Sequence, residues 1–488
     1  MTIPERKQGP IGYACSRSLL MAANKLPSNP GRAILVHTLL HAYKLFSQNQ
    51  EPNKDDQEPQ CKVIPVKPLG AAQLKTYHDA GFVDFILELD SVQSSDADND
   101  AELESSSEED EEDSNKPPRK RLREDVRHKT PQIMIKPNSS QDSKARKRKT
   151  KLYRKYEAYG LEYDCPYFPG ISDYVRLVAG ASVACAEYIL EHEKKSPSTD
   201  ESDIPQQAPI AINWQGGRHH ARKTRAAGFC YVNDAVLCIQ RLRKKFSRVA
   251  YIDLDLHHGD GVETAFARSS NVAVVSVHRY DRGFYPGSPF GSLEYEGGGN
   301  TKYMNSSGID SNNEAKYFGK LPGYGYTLNI PTKRGLTGES LDRIMREIVT
   351  PFVTKVFCAD CAVVVLGTDG LSRDEHREWR LSPRDYERAM REHVRDAWNL
   401  PTVVLGGGGY HHADTARALT AATAALLGRR DQDNWVDIPE HAMMDAYCDD
   451  AYEFWAGESI SEMNDENAGE HLDHLVEVYQ ARFKRKYK

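Results

Sequence analysis

Four separate stretches of this chain are short apolar runs that end in polar or ionisable residues. Pro209 to Trp214 leads into Gln215-Gly216-Gly217-Arg218-His219-His220. The run from Val249 leads into Asp253-Leu254-Asp255-Leu256-His257-His258-Gly259-Asp260. Cys361 to Leu366 leads into Gly367-Thr368-Asp369-Gly370, and Thr402 to Leu405 into Gly406-Gly407-Gly408-Gly409-Tyr410. Apolar runs this short read as buried strands, and helical segments separate them. That alternation predicts an α/β fold built on a parallel sheet. The ligand crevice of such a sheet lies outside the carboxyl ends of its strands, where all four clusters fall.

The second cluster carries the most chemistry. Alternation along an extended strand puts Asp253, Asp255 and His257 on one side. Buried charge needs compensation. A salt-bridged strand end would supply it, but no Lys or Arg lies within the run. A metal ion is the other solution, and carboxylates with imidazole suit zinc; Fe²⁺ is also compatible with this set. Asp369, at the end of a second strand, completes a three-ligand site with Asp255 and His257. Three protein ligands leave a catalytic metal one open position.

A water activated beside such a metal must lose a proton, and a leaving amine must gain one. Histidine suits both tasks near neutral pH. The pair His219-His220 ends its own strand, and Asp253 and Asp260 are the carboxylates left over. We pair Asp253 with His219 and Asp260 with His220, each carboxylate fixing a tautomer and raising basicity. The glycines before Tyr410 let the backbone approach a ligand closely, so the tyrosine hydroxyl can donate to a developing oxyanion. A phosphate-binding loop is the competing reading of the glycines, but the Gly-Lys-Ser/Thr ending is absent.

These residues resemble the zinc-dependent histone deacetylase family, and its class I branch in particular. The matching pieces are Tyr163-Asp164-Cys165-Pro166, Gly216 to Ala221, Gly228-Phe229-Cys230-Tyr231-Val232-Asn233-Asp234, Asp253 to Gly261, Leu366-Gly367-Thr368-Asp369 and Gly406 to Tyr410, in the family's order. The resemblance implies a single arginase/deacetylase-like α/β domain with a central, mostly parallel sheet of about eight strands and helices on both faces. It implies hydrolysis of the acetyl amide of acetyl-lysine in histones or other nuclear proteins, cohesin components included, with release of acetate. Asp255, His257 and Asp369 would hold Zn²⁺, and His220 would be general base and then general acid. His219 would act electrostatically, and Tyr410 would stabilise the oxyanion. Phe229 and Tyr285 would wall the lysine channel, with Gly228 and Gly408 leaving room beside them, and Asp164 would clasp the substrate backbone. A structural K⁺ is implied near Asp253, Asp255, His257 and Ser276. Partners would be an acetylated protein or peptide and a corepressor or chromatin complex.

The chain departs from the family at a few positions. Tyr285 stands where phenylalanine is usual, Arg218 where several members are apolar or aromatic, and Arg373 and His376 where glycine and leucine are common. We expect these changes to alter the rim and hence substrate choice. Arg32 matches an arginine lining a channel behind the metal, although a surface position is the default for arginine. An acetylpolyamine amidohydrolase shares the ligand set, but the basic clusters described below argue against it. An arginase-type manganese hydrolase needs another aspartate where Leu371 stands. A non-catalytic scaffold would usually have lost one of the residues above.

At 488 residues the chain could form several domains. The motifs span Tyr163 to Tyr410 and favour one catalytic domain, 1–90 with 155–430, interrupted by insertions at 91–154 and 291–320. Residues 431–488 form an extension packed on or following it. Ser94 to Asp113 is acidic, while Lys116 to Arg123 and Lys144 to Lys151 are basic. Segments so charged and so poor in apolar residues are expected to stay disordered. The basic pair reads as a nuclear import signal, with the cytoplasm a second compartment. Sequence-nonspecific contact with nucleic acid is the competing reading, but no aromatics interleave the clusters to stack on bases; no sequence-specific nucleic-acid binding is expected. The 291–320 insertion, rich in Gly, Asn and Ser, reads as a surface loop. Nine scattered cysteines suggest no disulfide framework; Cys358 and Cys361 lack the second pair a zinc site needs, and read as thiols packed at a strand start. No run is long enough to span a membrane. Core-facing helices are expected at Ser16 to Lys25, Arg32 to Phe46, Tyr174 to Leu190, Ala235 to Leu242 and Thr415 to Leu427.

Overall fold

The computed structural model describes residues 6–47, 58–91, 150, 152–193, 206–281, 283–287, 322–456 and 463–486. The acidic stretch, the first basic cluster, nearly all of the second and the 291–320 insertion lie outside the described residues. Among the described residues nine strands form one sheet: β1 (Ile11–Cys15), β2 (Phe46–Ser47), β3 (Cys61–Pro65), β4 (Ile210–Asn213), β5 (Val249–Asp253), β6 (Val272–Arg279), β7 (Thr327–Thr332), β8 (Cys361–Val365) and β9 (Thr402–Leu405). Their order is β2-β3-β1-β4-β9-β8-β5-β6-β7, and every pair is parallel. With β2 only two residues long, eight strands carry the sheet, the number the family resemblance implies.

Alternation along the strands splits the core in two. Ala250, Ile252, Ala362, Val364, Ile212 and Val404 face one buried cluster. Val249, Tyr251, Val363, Val365, Ala211 and Leu405 face the other. Strands buried on both faces need apolar residues at every position, which is why they read as continuous runs. Helices Ile171–Glu193 and Asp234–Leu242 cover the second face. Arg32–Ala42 and His412–Leu426 lie on the first. Helix Glu470–Lys486 also docks there through Leu472, Leu475, Val476 and Tyr479. Helix ends are set locally: Ser16 accepts from the Leu19 amide and Asn233 from the Val236 amide, as N-cap side chains do.

Arg32 follows the family resemblance rather than the surface default, and one cysteine expectation needs correction here. Arg32 is buried at 4 % exposure, because it donates to the carbonyls of Gly407 (3.1 and 3.2 Å) and Gly409 (3.0 Å). Cys361 is packed at the start of β8, but Cys358 is exposed. All nine cysteines are free. Among the described residues no helix is long and apolar enough to cross a membrane.

Candidate active site

The four strands that end in polar clusters are consecutive neighbours, β4-β9-β8-β5. Their registers align Asn213 with Leu405, Leu405 with Val365 and Val365 with Asp253. The chain therefore leaves the sheet along one row, and the four following loops meet above it.

β5 ends at Asp253, so strand alternation does not place Asp255 and His257. Hydrogen bonds within the loop do that instead. The Asp255 amide donates to Asp253 Oδ1 (3.2 Å), the Leu256 amide to Asp369 Oδ1 (3.0 Å) and the His257 amide to Asp255 Oδ1 (3.0 Å). The result is a convergence of Asp255, His257 and Asp369, all buried, whose ligand atoms lie within 4.8 Å of one another. His257 Nδ1 is 2.8 Å from Asp369 Oδ2 and 3.4 Å from Asp255 Oδ1. Donors around a tetrahedral ion with bonds of roughly 2.0–2.1 Å are spaced about 3.3 Å apart. Charge points the same way. Burial, then the nearby Asp255, raises the Asp369 pKa. Burial opposes protonation of His257, yet contacts with Asp255 and Asp369 outweigh it and raise its pKa. Two buried carboxylates around one imidazole leave negative charge to be balanced, and a divalent cation fits that donor set.

Two histidine–carboxylate pairs flank this point. His219 Nδ1 lies 2.8 Å from Asp253 Oδ2, which also accepts from the Tyr251 hydroxyl at 2.6 Å. His220 Nδ1 lies 2.9 Å from Asp260 Oδ1, and Arg222 is hydrogen-bonded to Asp260 Oδ2. The two pairs differ in charge. For His219, burial is outweighed by Asp253 and Asp255, and its pKa rises to about 9. For His220, burial and then the adjacent His219 lower it to about 3. Burial and neighbouring charge thus drive the two rings in opposite directions, His219 toward its protonated form and His220 toward its neutral one.

Aromatic rings wall the approach. The Phe229 and Tyr410 centroids are 5.7 Å apart, and Tyr285 stands edge-on to His220 at 5.0 Å. Phe284 stacks on His257 at 5.3 Å, and His376 touches both His257 (4.8 Å) and Tyr410 (5.1 Å). Burial, then Asp369 and Asp255, pushes the Tyr410 hydroxyl well above the usual phenol range, so it remains a donor. Asp164 Oδ2 accepts from the Gly228 amide at 2.7 Å. Gly228 has φ +55°, and a Cβ there would meet His220 Cδ2 at 2.4 Å and the Tyr285 hydroxyl at 2.7 Å. Gly408 makes room for the Asp369 and Asp255 carboxylates, since a Cβ would lie 2.2 Å from Asp369 Oδ2 and 3.1 Å from Asp255 Oδ2.

Two carboxylates converging with an imidazole, two histidine–carboxylate pairs shifted in opposite directions, a protonated tyrosine and a cluster of aromatic rings together suit hydrolysis of an amide on a slender side chain. A histone deacetylase domain matches residues 26–426. The chain belongs to the histone deacetylase family. It is 37 % identical to histone deacetylase 8 of Xenopus laevis over 292 residues, 60 % of this chain and 76 % of that protein. Identity to histone deacetylase 8 of Danio rerio is 33 % over 326 residues, 67 % and 74 % of the two chains. Identity to histone deacetylase 1 of Homo sapiens is 33 % over 327 residues, 66 % and 57 %. The class I branch expected from the sequence is where these relatives lie, and the deacetylase is a metal-dependent hydrolase of acetyl-lysine amides.

Several positions of the deacetylase differ from expectation. Arg218 does not reach the rim; it is 4 % exposed and donates to the Gln215 carbonyl. Arg373 is held by Asp414 and Asp450. Sequence reasoning missed the supports of the site. Asp234 accepts from the Gly217 and Arg218 amides (3.0 and 2.7 Å), and Asn233 Nδ2 donates to the His219 and Ala221 carbonyls (3.2 and 2.9 Å). Asn-Asp ahead of an apolar-periodic helix is a cap signal, and it marked both residues. Asp374 accepts from the Tyr410 amide at 2.7 Å, a contact with no local signal.

Proposed function

We propose that Asp255, His257 and Asp369 hold Zn²⁺, with Fe²⁺ able to replace it, and that the enzyme deacetylates lysines of histones or other nuclear proteins such as cohesin components. The convergence of those three side chains beside the two histidine–carboxylate pairs carries the reading. When bound, the ion supplies Lewis acidity toward the acetyl carbonyl and lowers the pKa of water toward roughly 7. Neutral His220 takes the proton of the attacking water and returns it to the departing lysine amine, with Asp260 orienting its Nδ1 side. His219, paired with Asp253, adds fixed positive charge beside the reacting centre. Tyr410 donates its hydroxyl hydrogen to the developing oxyanion. Phe229 and Tyr285 line the lysine methylenes, and Asp164, which orders Gly228, clasps the substrate backbone. A structural K⁺ belongs beside Asp253 and Ser276, register neighbours on β5 and β6, and beside Asp255 and His257. The basic clusters support import into the nucleus, where a corepressor or chromatin complex would be the partner.

The test is metal-depleted protein reconstituted one metal at a time and assayed on acetylated nuclear peptides and on acetylspermidine. Turnover of the peptides with Zn²⁺, and roughly 100-fold loss on Tyr410→Phe with zinc content kept, is the expected result. Preference for acetylspermidine, or an undiminished Y410F enzyme, would overturn the assignment.

A further inference from the structure

The loop that follows Asp369 is gripped from two directions by residues far away in the chain. Arg373 Nε donates to Asp414 Oδ2 (2.6 Å), and its Nη2 also reaches Asp414 Oδ1. The same guanidinium donates to Asp450 Oδ1 (2.6 Å) and Oδ2 (2.9 Å). Arg417, with a side chain 0 % exposed, donates to Asp414 (2.9 Å), to Asp450 (2.9 Å) and to the Glu453 carbonyl (2.9 Å). Two guanidiniums thus share two carboxylates, a balanced and largely buried square. Its corners come from the loop after β8, the helix His412–Leu426 and the C-terminal turn Met444–Asp450.

Residue 374 connects the square to the chemistry. Asp374 is 0 % exposed, and its Oδ2 accepts from the amides of Tyr410 (2.7 Å) and His411 (3.3 Å). Its Oδ1 accepts from the His376 amide (3.1 Å). Where Arg373 is held, Asp374 is held, and the backbone of Tyr410 with it. We infer that Arg373 and Asp450 are positioning residues for Tyr410, so that the C-terminal segment completes the oxyanion side of the active site. The inference rests on the oxyanion role proposed above for Tyr410. Neutralising Asp450 leaves two guanidiniums facing one carboxylate; their repulsion displaces the loop and Tyr410 with it.

The experiment compares wild type, D450N, Y410F and the D450N/Y410F double variant as full-length, zinc-loaded protein on an acetyl-lysine peptide. D450N should lower kcat roughly 10-fold, since small misplacements at a reacting centre are costly, with KM and zinc content within about twofold. In the Y410F background, D450N should change kcat by less than about twofold, because the group it positions is already gone. R373Q should behave as D450N does in both backgrounds, and it serves if D450N does not fold. Wild-type kcat in D450N and R373Q, with Y410F crippled, overturns the positioning role alone. An equal loss in the Y410F background also overturns it, since that is a general structural defect. An active Y410F enzyme sinks the oxyanion role and this inference together.

Discussion

Gly408→Ala adds one methyl group and leaves every proposed ligand in place. The backbone at Gly408 is outside the left-handed region, so alanine meets no conformational penalty there. The new Cβ would lie 2.2 Å from Asp369 Oδ2 and 3.1 Å from Asp255 Oδ2. Ordinary contact begins at 3.4 Å, so the Asp369 carboxylate must retreat by about 1.2 Å. Metal–ligand bonds tolerate about 0.2 Å, so Asp369 cannot both clear the methyl and hold the ion. Disturbing only the groups that orient ligands costs about 10- to 100-fold in metal affinity. Displacing a ligand should cost at least about 100-fold, near 2.7 kcal/mol. Competition against a chromophoric zinc chelator measures this directly. Gly70→Ala is the control: its φ is −76° and its nearest neighbour, Gln73 Oε1, is 3.7 Å from the added Cβ. Should G408A bind zinc within about threefold of wild type while G70A is unchanged, the three-ligand centre is wrong.

Leu475→Ala should destabilise the protein by roughly 2–5 kcal/mol, because Leu475 is wholly buried where the C-terminal helix meets the core; a chemical-denaturation loss below about 1 kcal/mol would mean that this helix is not docked. His78 should make stability pH-dependent. Burial lowers its pKa to about 4, against about 6.5 in an unfolded chain. Its neutral form accepts from the Asn233 amide at Nε2 (3.0 Å) while Nδ1 faces the Arg222 carbonyl (3.0 Å). The unfolded state therefore binds more protons between these values, and the contribution, present above pH 6.5, is lost as pH falls toward 4. It amounts to roughly 3 kcal/mol. His78→Gln cannot titrate, so its stability should fall less than that of wild type between pH 7 and 4; parallel curves would contradict the assignment.

What could be read from the chain was what neighbouring residues decide. Each strand of the row β4-β9-β8-β5 is buried on both faces, so it appears as an unbroken apolar run, and its end appears as an abrupt change of composition. The proposed ligands stand out because they lie directly after those ends. Contacts made at a distance leave no such trace. Arg373 and Asp450 are 77 positions apart, Asp374 and the Tyr410 amide 36, Arg32 and the Gly407 carbonyl 375. In each case one partner is a backbone group or an ordinary charged residue, whose default reading is the solvated surface. Even Asp255 and His257, which strand alternation alone would place on one side, are held instead by hydrogen bonds in the loop.

Charge balance separates the roles of the buried carboxylates at this edge. Asp234 accepts two backbone amides and the Ser182 hydroxyl. Asp253 has Tyr251 and His219; Asp260 has His220 and Arg222; Asp374 has two amides and His376. Each of these is satisfied by groups already folded around it, and each in turn fixes a loop or a ring. Asp255 and Asp369 differ. Beyond the amides that orient them, they share His257, with His219 a further 3.8 Å contact that is already committed to Asp253. Burying a second carboxylate against a half-used imidazole is unfavourable unless a cation joins them. The carboxylates that hold the site are therefore those committed to separate partners in the protein, and the pair that would hold the ion is the one that shares a single imidazole.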